Sequence, residues 1–208
     1  MTPAARLVAV ALVAAVALAW AVRPRAAAPA SAPAAKGSFT FAPGTAPGDQ
    51  EAFLAAVATA RPEARRLLDA VAGRVDVTVA TADPGAAGTT STHGERFTVV
   101  VDFAQVAARL GERGIRRLVL HELGHVVDFA LVPADLDRRL DAGIPRGYGC
   151  MDGVAGACAA REERFAESFA KWASGDIGSE LYIGYAVPPP EPTLEAWGRP
   201  LASLPLGR

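Results

Sequence analysis

The segment Ile115–Val132 (IRRLVLHELGHVVDFALV) constrains the fold of this chain more than any other. It contains no proline and only one glycine, and Gly114 precedes it and Pro133 follows it, so it predicts a single helix. Beyond its first two arginines most of its side chains are apolar, and a helix that is apolar nearly all round is buried. The fold must therefore cover this helix and supply partners for the polar groups it carries inside.

Those polar groups belong to the sequence His121-Glu122-Leu123-Gly124-His125, which has the pattern HExxH. Residues four apart lie one turn apart on the same helix face, so both imidazoles can reach one metal ion. The carboxylate of Glu122 lies beside that face, where it would act as general base on a metal-bound water. The pattern indicates zinc-assisted hydrolysis, usually of a peptide bond. The alternative is a helix with two hydrogen-bonded core histidines and a chance glutamate.

A catalytic zinc ion usually has three protein ligands and one open position, so a third ligand is expected. Residues Ala159–Ser174 (AAREERFAESFAKWAS) predict a second helix, because three aromatic residues recur at helical spacing. Another face of this helix carries Glu163 and Glu167, four residues apart. One carboxylate can bind zinc while the other accepts the N–H of a liganding histidine. These residues alone leave the choice between Glu163, Glu167 and Glu162 open.

Two further polar residues were considered for the same site. His93 would make a three-histidine site, but it lies in a Gly/Thr/Ser-rich segment and we interpret it as a loop residue. In the metzincins a third histidine follows the HExxH motif closely, and this sequence has no histidine there. Asp128 lies about one turn beyond His125 and is a candidate acceptor for a hydrogen bond from a ligand histidine or from a loop.

HELGH followed by a helix of the form E-x-x-A-E-x-F-A resembles the gluzincin metallopeptidases. Within them the chain looks most like the catalytic domain of anthrax lethal factor and its bacterial relatives, over roughly Thr98–Ser174. The resemblance implies one Zn²⁺ per chain, a peptide or protein substrate, and Glu163 as the third ligand. It also implies that Glu167 accepts a hydrogen bond from a ligand histidine, which we expect to be His121.

The same resemblance implies a tyrosine or histidine that helps zinc to stabilise the oxyanion. Tyr148 is our candidate, because it lies in a glycine-rich loop between the two helices. Tyr182 and Tyr185 are competing candidates. In the expected mechanism Glu122 takes a proton from the zinc-bound water as this water attacks the peptide carbonyl, and then delivers it to the leaving amine.

The N-terminus predicts export. Arg6 precedes sixteen apolar residues, Leu7–Val22, a length typical of a signal peptide and short for a membrane span. Residues 1–22 are thus a signal peptide, with cleavage after Ala21, or an uncleaved signal anchor, which the arginines that follow at once favour. In either case the remainder is secreted or anchored to the outer face of the cytoplasmic membrane. Residues 23–37 predict an Ala/Pro-rich linker.

The chain contains two cysteines, Cys150 and Cys158. In an exported protein this pair predicts one disulfide bond, which would fix the loop before Glu163. Cysteine zinc ligands are the alternative, and they conflict with export and with the His/Glu ligand set.

The remaining pattern predicts a single α+β domain over residues 38–187, followed by an irregular, Pro-rich C-terminal tail over residues 188–208. Other helices are expected over Asp49–Val71, with a break at Pro62, over Ala104–Leu110, with breaks at Gly111 and Gly114, and over Pro133–Leu140. Strands are expected over Arg74–Ala80 and, more centrally, over Arg96–Phe103, separated by a turn-rich loop, Thr81–Glu95. We expect a zincin-like arrangement, in which a short twisted sheet is followed by the metal helix and the glutamate helix. The strand before the metal helix would pair with an extended substrate.

Composition narrows the function further. The formal net charge of −1 leaves no basic surface of the kind that binds nucleic acid. Besides the exported metallopeptidase, two alternatives stay open: a non-catalytic cell-surface binding module that keeps a zincin fold, and a toxin-like protease acting on a host protein. The presence of Glu122 argues against the first, because a site without turnover has no use for the base. The sequence leaves the natural substrate and the oligomeric state open.

Overall fold

A small mixed sheet forms one side of the protein core. The structure is a computed structural model, and it describes residues 38–82, 86–146, 159–178 and 186–206. Within these residues the strands are β1 (Thr40–Phe41), β2 (Val75–Val79), β3 (Gly88–His93) and β4 (Arg96–Val101). They lie in the order β1-β2-β4-β3, with β1, β2 and β4 parallel and β3 antiparallel to β4. The internal strands are therefore β2 and β4.

Alternation along the two internal strands makes the sheet one-sided. Val75 and Val77 in β2 are fully buried, as are Val99 and Val101 in β4. The residues between them point to the opposite, partly exposed face, where Thr98 is half-buried. This pattern is typical of a sheet that is covered by helices on one side only.

Helices and the buried face of the sheet share one hydrophobic core. The helices in the described residues are α1 (Pro47–Ala58), α2 (Pro62–Val71), α3 (Phe103–Leu131), α4 (Ala134–Ala142), α5 (Arg161–Ser174) and α6 (Leu194–Ala202). The predicted α+β class is confirmed, and the expected break at Pro62 coincides with the start of α2.

The long helix α3 carries both the predicted short helix and the predicted buried helix. Asp102 caps its start by accepting a hydrogen bond from the Gln105 N–H at 2.9 Å. Gly111 interrupts it with φ 62° and ψ −158°, a backbone conformation that favours glycine. The expected break at Gly111 is thus confirmed, whereas Gly114 is helical. Beyond the kink, α3 continues through the HELGH motif to Leu131.

The segment predicted as the loop Thr81–Glu95 contains strand β3, so this prediction is wrong in part. Its sequence, GTTSTH, lacks alternating apolar residues because it lies at the sheet edge and its second half is exposed. Since β3 covers one side of β4, the strand before the metal helix is internal. The prediction that this strand pairs with substrate is therefore wrong, and the edge nearest the metal helix belongs to β3.

The C-terminal segment predicted as an irregular tail contains a helix that is packed into the core. Thr193 caps α6 by accepting a hydrogen bond from the Ala196 N–H at 3.1 Å. Trp197 and Leu201 are 4% and 0% exposed, and the Trp197 indole N–H donates to the Leu140 carbonyl at 3.2 Å. The proline content of this segment suggested irregular structure, but burial of these apolar residues stabilises a short helix there.

Predictions for the N-terminus concern residues that the structure leaves undescribed. The expected signal peptide or anchor, residues 1–22, and the linker, residues 23–37, lie outside the described ranges. Among the helices that are described, none combines the length and the apolar character needed to cross a membrane. Export therefore stays a prediction.

Candidate metal centre

Two histidines of α3 point toward the same space, one helical turn apart. His121 and His125 are 5% and 6% exposed, and their ring centroids lie 5.0 Å apart with an interplanar angle of 82°. They occupy the part of α3 that is buried on all sides, as the apolar sequence around them predicts. Their Nε2 atoms face helix α5, which carries the predicted third ligand.

Glu163, in the first turn of α5, reaches both histidines. Its carboxylate oxygens lie 3.2 Å from Nε2 of His121 and 3.5 Å from Nε2 of His125. One nitrogen from each histidine and one carboxylate oxygen all lie within 4.8 Å of one another. The Glu163 side chain is 30% exposed, so the group is open to solvent on one side. The structure thus brings together the three residues that were predicted to bind the metal.

The glycine of the HELGH motif permits this convergence by allowing α5 to approach α3 closely. A Cβ atom at Gly124 would lie 3.0 Å from Cα of Ala166 and 3.1 Å from the Ala166 carbonyl oxygen. These separations are shorter than ordinary van der Waals contact, so any side chain at Gly124 would push the helices apart. The small residues on both helices therefore set the distance from which Glu163 reaches the histidines.

This donor set is suited to a metal ion. Two imidazoles and one carboxylate are ligands of zinc and of other first-row divalent metals, and a site with three protein ligands leaves a position for water. Glu163 is partly exposed, so solvent reaches at least one of the three residues. The group His121, His125 and Glu163 could therefore hold one metal ion.

The carboxylates around His121 favour its protonated form. Burial alone would lower the pKa of His121, but hydrogen bonds to Glu163 and Glu167 and the charge of Glu122 outweigh it and raise the pKa to about 10. Burial would raise the pKa of Glu163, but its bonds to His121 and His125 hold this pKa far below its usual range. These shifts favour a proton on His121 and a negative charge on Glu163, and a bound metal ion would compete with that proton.

Glu167 fixes the orientation of His121 from inside the protein. Its Oε2 lies 3.3 Å from Nδ1 of His121, while its Oε1 accepts hydrogen bonds from Arg117 at 3.0 Å and Lys171 at 2.6 Å. Burial alone would raise the pKa of Glu167, but the bond to His121 and the charges of Lys171 and Arg117 lower it. Lys171 also donates to the Val187 carbonyl at 2.9 Å. Glu167 is thus the partner of His121 that was expected, held ionised by two buried cations.

Glu122, the predicted general base, contacts the edge strand rather than α5. Its side chain is nearly fully buried, and the Thr90 hydroxyl lies 2.7 Å from its Oε2. Gly88, two residues earlier in β3, borders its other carboxylate oxygen. The base therefore lies between the metal helix and β3, next to the group that could hold the metal.

Asp128 pairs with a cation at the start of α5. Its Oδ2 accepts a hydrogen bond at 3.0 Å from Arg161, which also pairs with Asp137 of α4. The Asp128 side chain is fully buried, so this ion pair ties α3, α4 and α5 together next to Glu163. The bond from a ligand histidine to Asp128 stays a prediction.

The remaining predicted site residues lie apart from this group or outside the described ranges. His93 ends strand β3, where its ring is exposed and lies 3.4 Å from the Ser91 hydroxyl. Tyr148 and its competitors Tyr182 and Tyr185 are not among the residues that the structure describes, nor are the two cysteines, Cys150 and Cys158. The oxyanion-stabilising tyrosine and the disulfide bond therefore stay predictions.

Several contacts of the site were not predicted, and only some of them have a signal in the sequence. Arg117 precedes His121 by four residues, and Lys171 follows Glu167 by four. Both spacings place these pairs on one helix face, so the two cations could have been predicted. Thr90 left no such signal, because its contact with Glu122 depends on the pairing of β3 at the sheet edge.

A comparison of the chain with protein families, with curated proteins and with solved structures finds no match. The side chains described above are therefore the basis for proposing a function.

Proposed function

We propose that this chain is an exported zinc-dependent metallopeptidase of the gluzincin type, with a zincin-like fold. The observation that carries the proposal is that ligand atoms of His121, His125 and Glu163 all lie within 4.8 Å of one another, while Glu122 adjoins His121 in the chain. Two histidines and a glutamate are a ligand set of catalytic zinc, and HExxH supplies the base at the spacing that peptidases use. Residues 1–22 support export.

Five residues divide three roles in the proposed reaction. His121, His125 and Glu163 would hold one Zn²⁺, and Glu167 keeps the His121 ring oriented through Nδ1. When bound, zinc lowers the pKa of a coordinated water and polarises the scissile carbonyl. Glu122 accepts the proton of the attacking water on a carboxylate oxygen and transfers it to the leaving amine.

Strand β3 supports a peptide as the substrate. It is the edge strand on the side of the sheet nearest α3, and its Thr90 touches the base directly. An extended peptide that adds to a sheet edge gains main-chain hydrogen bonds whatever its sequence. A peptide bound along β3 would therefore place its backbone near Glu122 and the metal ligands.

A binding module without turnover is less well supported by the site. Glu122 is nearly fully buried, and burial of a carboxylate is costly unless it is hydrogen-bonded or paired. On β3, the Thr90 hydroxyl bonds to one carboxylate oxygen, and Gly88 leaves space for the other. In a binding module these contacts would have a structural role alone, and a leucine at position 122 would avoid the cost of burying a carboxylate.

The experiment combines metal analysis with cleavage of a broad peptide library by the purified chain and by Glu122→Gln. We expect about one zinc ion per chain in both proteins, and a loss of cleavage of at least about 100-fold in the variant, because general-base catalysis is worth roughly that much. N-terminal sequencing of the protein recovered outside the cytoplasm checks export. A wild-type chain that binds no stoichiometric zinc, or a Glu122→Gln variant that cleaves normally, would refute the proposed function.

A further inference from the structure

The hydroxyl of Thr90 is a direct partner of the buried carboxylate of Glu122. Thr90 Oγ1 lies 2.7 Å from Oε2 of Glu122 and 3.1 Å from the Glu122 carbonyl oxygen. A hydroxyl has one hydrogen, and the charged carboxylate, which is also nearer, is the stronger acceptor. Because Glu122 is only 3% exposed, Thr90 takes the place of solvent at one of the two carboxylate oxygens.

The other carboxylate oxygen occupies space that a glycine leaves free. A Cβ atom at Gly88 would lie 2.6 Å from Oε1 of Glu122, closer than such atoms approach each other. Gly88 and Thr90 are two residues apart in β3, so they face the same side of the strand. On that side Gly88 leaves space for Oε1 of Glu122, and the Thr90 hydroxyl bonds to Oε2.

We propose that Thr90 is a positioning residue for the general base, an assignment that rests on the proposed peptidase function. Its hydroxyl holds Oε2 and so fixes the rotation of the carboxylate, which leaves Oε1 to exchange the proton with water and leaving group. Thr90 acts through Glu122 and does not contact the reacting atoms. A base that is held in one orientation reacts faster than one that must find it in each turnover.

The contact could instead serve only to attach β3 to α3, and the two roles have different consequences. A purely structural bond would affect stability and leave the turnover number of the folded enzyme unchanged. A positioning bond affects kcat, leaves KM and zinc content unchanged, and needs only the hydroxyl. Serine supplies the hydroxyl without the methyl group of threonine, whereas valine keeps the shape and lacks the hydroxyl.

The first test compares Thr90→Val, Thr90→Ser and the matched control Thr98→Val, which makes the same change at a half-buried threonine of β4. With zinc content equal, we expect Thr90→Val to lower kcat by about 10- to 100-fold, the size expected when a catalytic group is misplaced, with KM unchanged. Thr90→Ser should restore most of the rate, and Thr98→Val should resemble the wild type. Equal kcat in Thr90→Val and wild type, or no restoration by serine, overturns the assignment.

The second test needs no activity. Urea unfolding of the metal-free protein is measured for Thr90→Val, Glu122→Met and the double variant, which isolates the interaction between the two side chains. We expect Thr90→Val to lower the urea midpoint in the wild-type background and to have little effect in the Glu122→Met background. Equal shifts in both backgrounds overturn the contact. A wild-type chain without zinc-dependent cleavage overturns the peptidase function and the positioning role together, whatever the unfolding data give.

Discussion

At the scale of single residues, positive and negative side chains compensate one another in the buried part of the metal centre. Glu163 and Glu167 approach His121 from opposite ring nitrogens, and Arg117 and Lys171 compensate Glu167 from behind. A buried charge is tolerated only when such partners are present. The carboxylates of Glu163 and Glu167 therefore have different surroundings, since Glu163 is partly open to solvent and Glu167 is enclosed by cations.

The proton on His121 makes zinc binding dependent on pH. Because the pKa of His121 is raised to about 10 in the metal-free protein, zinc must displace a proton throughout the neutral range. We expect the apparent zinc affinity to rise by up to about tenfold per pH unit as pH increases toward that value. Competition with a chelator at pH 6, 7 and 8, corrected for the chelator's own protonation, measures this dependence. A zinc affinity that is independent of pH would contradict the raised pKa of His121.

Protonation of His121 also stabilises the folded metal-free protein. The folded pKa of His121 lies above its ordinary value of 6.5, so protonation favours the folded state. This contribution is fully present below pH 6.5 and is lost as pH rises through about 10. A metal ion bound to the ring in place of the proton would reverse this dependence, because only the unfolded histidine would then take up a proton below pH 6.5.

Glu163 and Glu167 of α5 should respond differently to substitution. Glu163→Ala removes a ligand, whereas Glu167→Ala removes the partner of His121, a change that typically weakens metal binding about 10- to 100-fold. We expect Glu163→Ala to lose more affinity than that, as measured by zinc titration at fixed pH. Glu162→Ala is the matched control on the same turn and should bind zinc like the wild type. If Glu162→Ala weakens binding more than Glu163→Ala does, the assigned ligand is wrong.

Residues whose spacing reflects a single helix could be predicted from the sequence. His121, His125 and the pair Glu163 and Glu167 lie at i, i+4 positions, and helix geometry alone places each pair on one face. Thr90 could not be found in this way, because it meets Glu122 across 32 positions of the chain. Long-range contacts of this kind depend on how strands pair, which local spacing does not encode.

At the scale of elements, the site depends on how closely α3 and α5 pack. Gly124 faces the backbone of Ala166, and Glu163 extends from the same helix one turn earlier. Any change in the distance between the helices is therefore transferred to the third ligand. Metal sites tolerate such displacement poorly, because ligand distances are fixed to within a few tenths of an ångström.

Gly124→Ala tests this dependence. A methyl group at this position would approach the Ala166 backbone to 3.0 Å, so the helices must separate. We expect a loss of about 1–3 kcal/mol in unfolding free energy, as overpacking usually costs, together with weaker zinc binding. Urea unfolding and zinc titration measure the two effects. Gly48→Ala in α1, where nothing lies within 4 Å, is the control and should lose neither. Unchanged zinc affinity in Gly124→Ala would show that the distance between α3 and α5 does not control the third ligand.

Helices were predicted better than the edge strand and the last helix, for a physical reason. The segment that forms α5 shows an apolar stripe at helical spacing, which identifies the helix, although every residue from Arg164 to Ala173 is buried. Strand β3 is half-exposed and consists largely of threonine and serine, so its pairing with β4 leaves little trace in the pattern. Helix α6 contains Pro200 and is short, so tertiary packing rather than helix propensity stabilises it.

At the scale of the whole molecule, the C-terminal segment packs into the common core through helix α6. Arg66 of α2 donates hydrogen bonds to the Leu204 and Ala202 carbonyls at 2.9 and 2.8 Å. The Trp197 ring lies 5.6 Å from Phe165, two residues beyond Glu163 on α5. The segment therefore joins α2 and α5, which lie far apart in the chain, and it supports the helix that carries the third ligand.

Trp197→Ala tests whether this packing stabilises the whole fold. Trp197 is 4% exposed, and removing a buried tryptophan typically costs about 3–5 kcal/mol through lost apolar burial and the cavity that remains. We expect a loss of that size in one cooperative urea transition, because the residue belongs to the same core as α3 and α5. Leu54→Ala, at a side chain that is 47% exposed, is the control and should change stability by less than about 0.5 kcal/mol. A Trp197→Ala variant as stable as wild type would mean that residues 188–208 lie on the surface, as the proline-rich sequence first suggested.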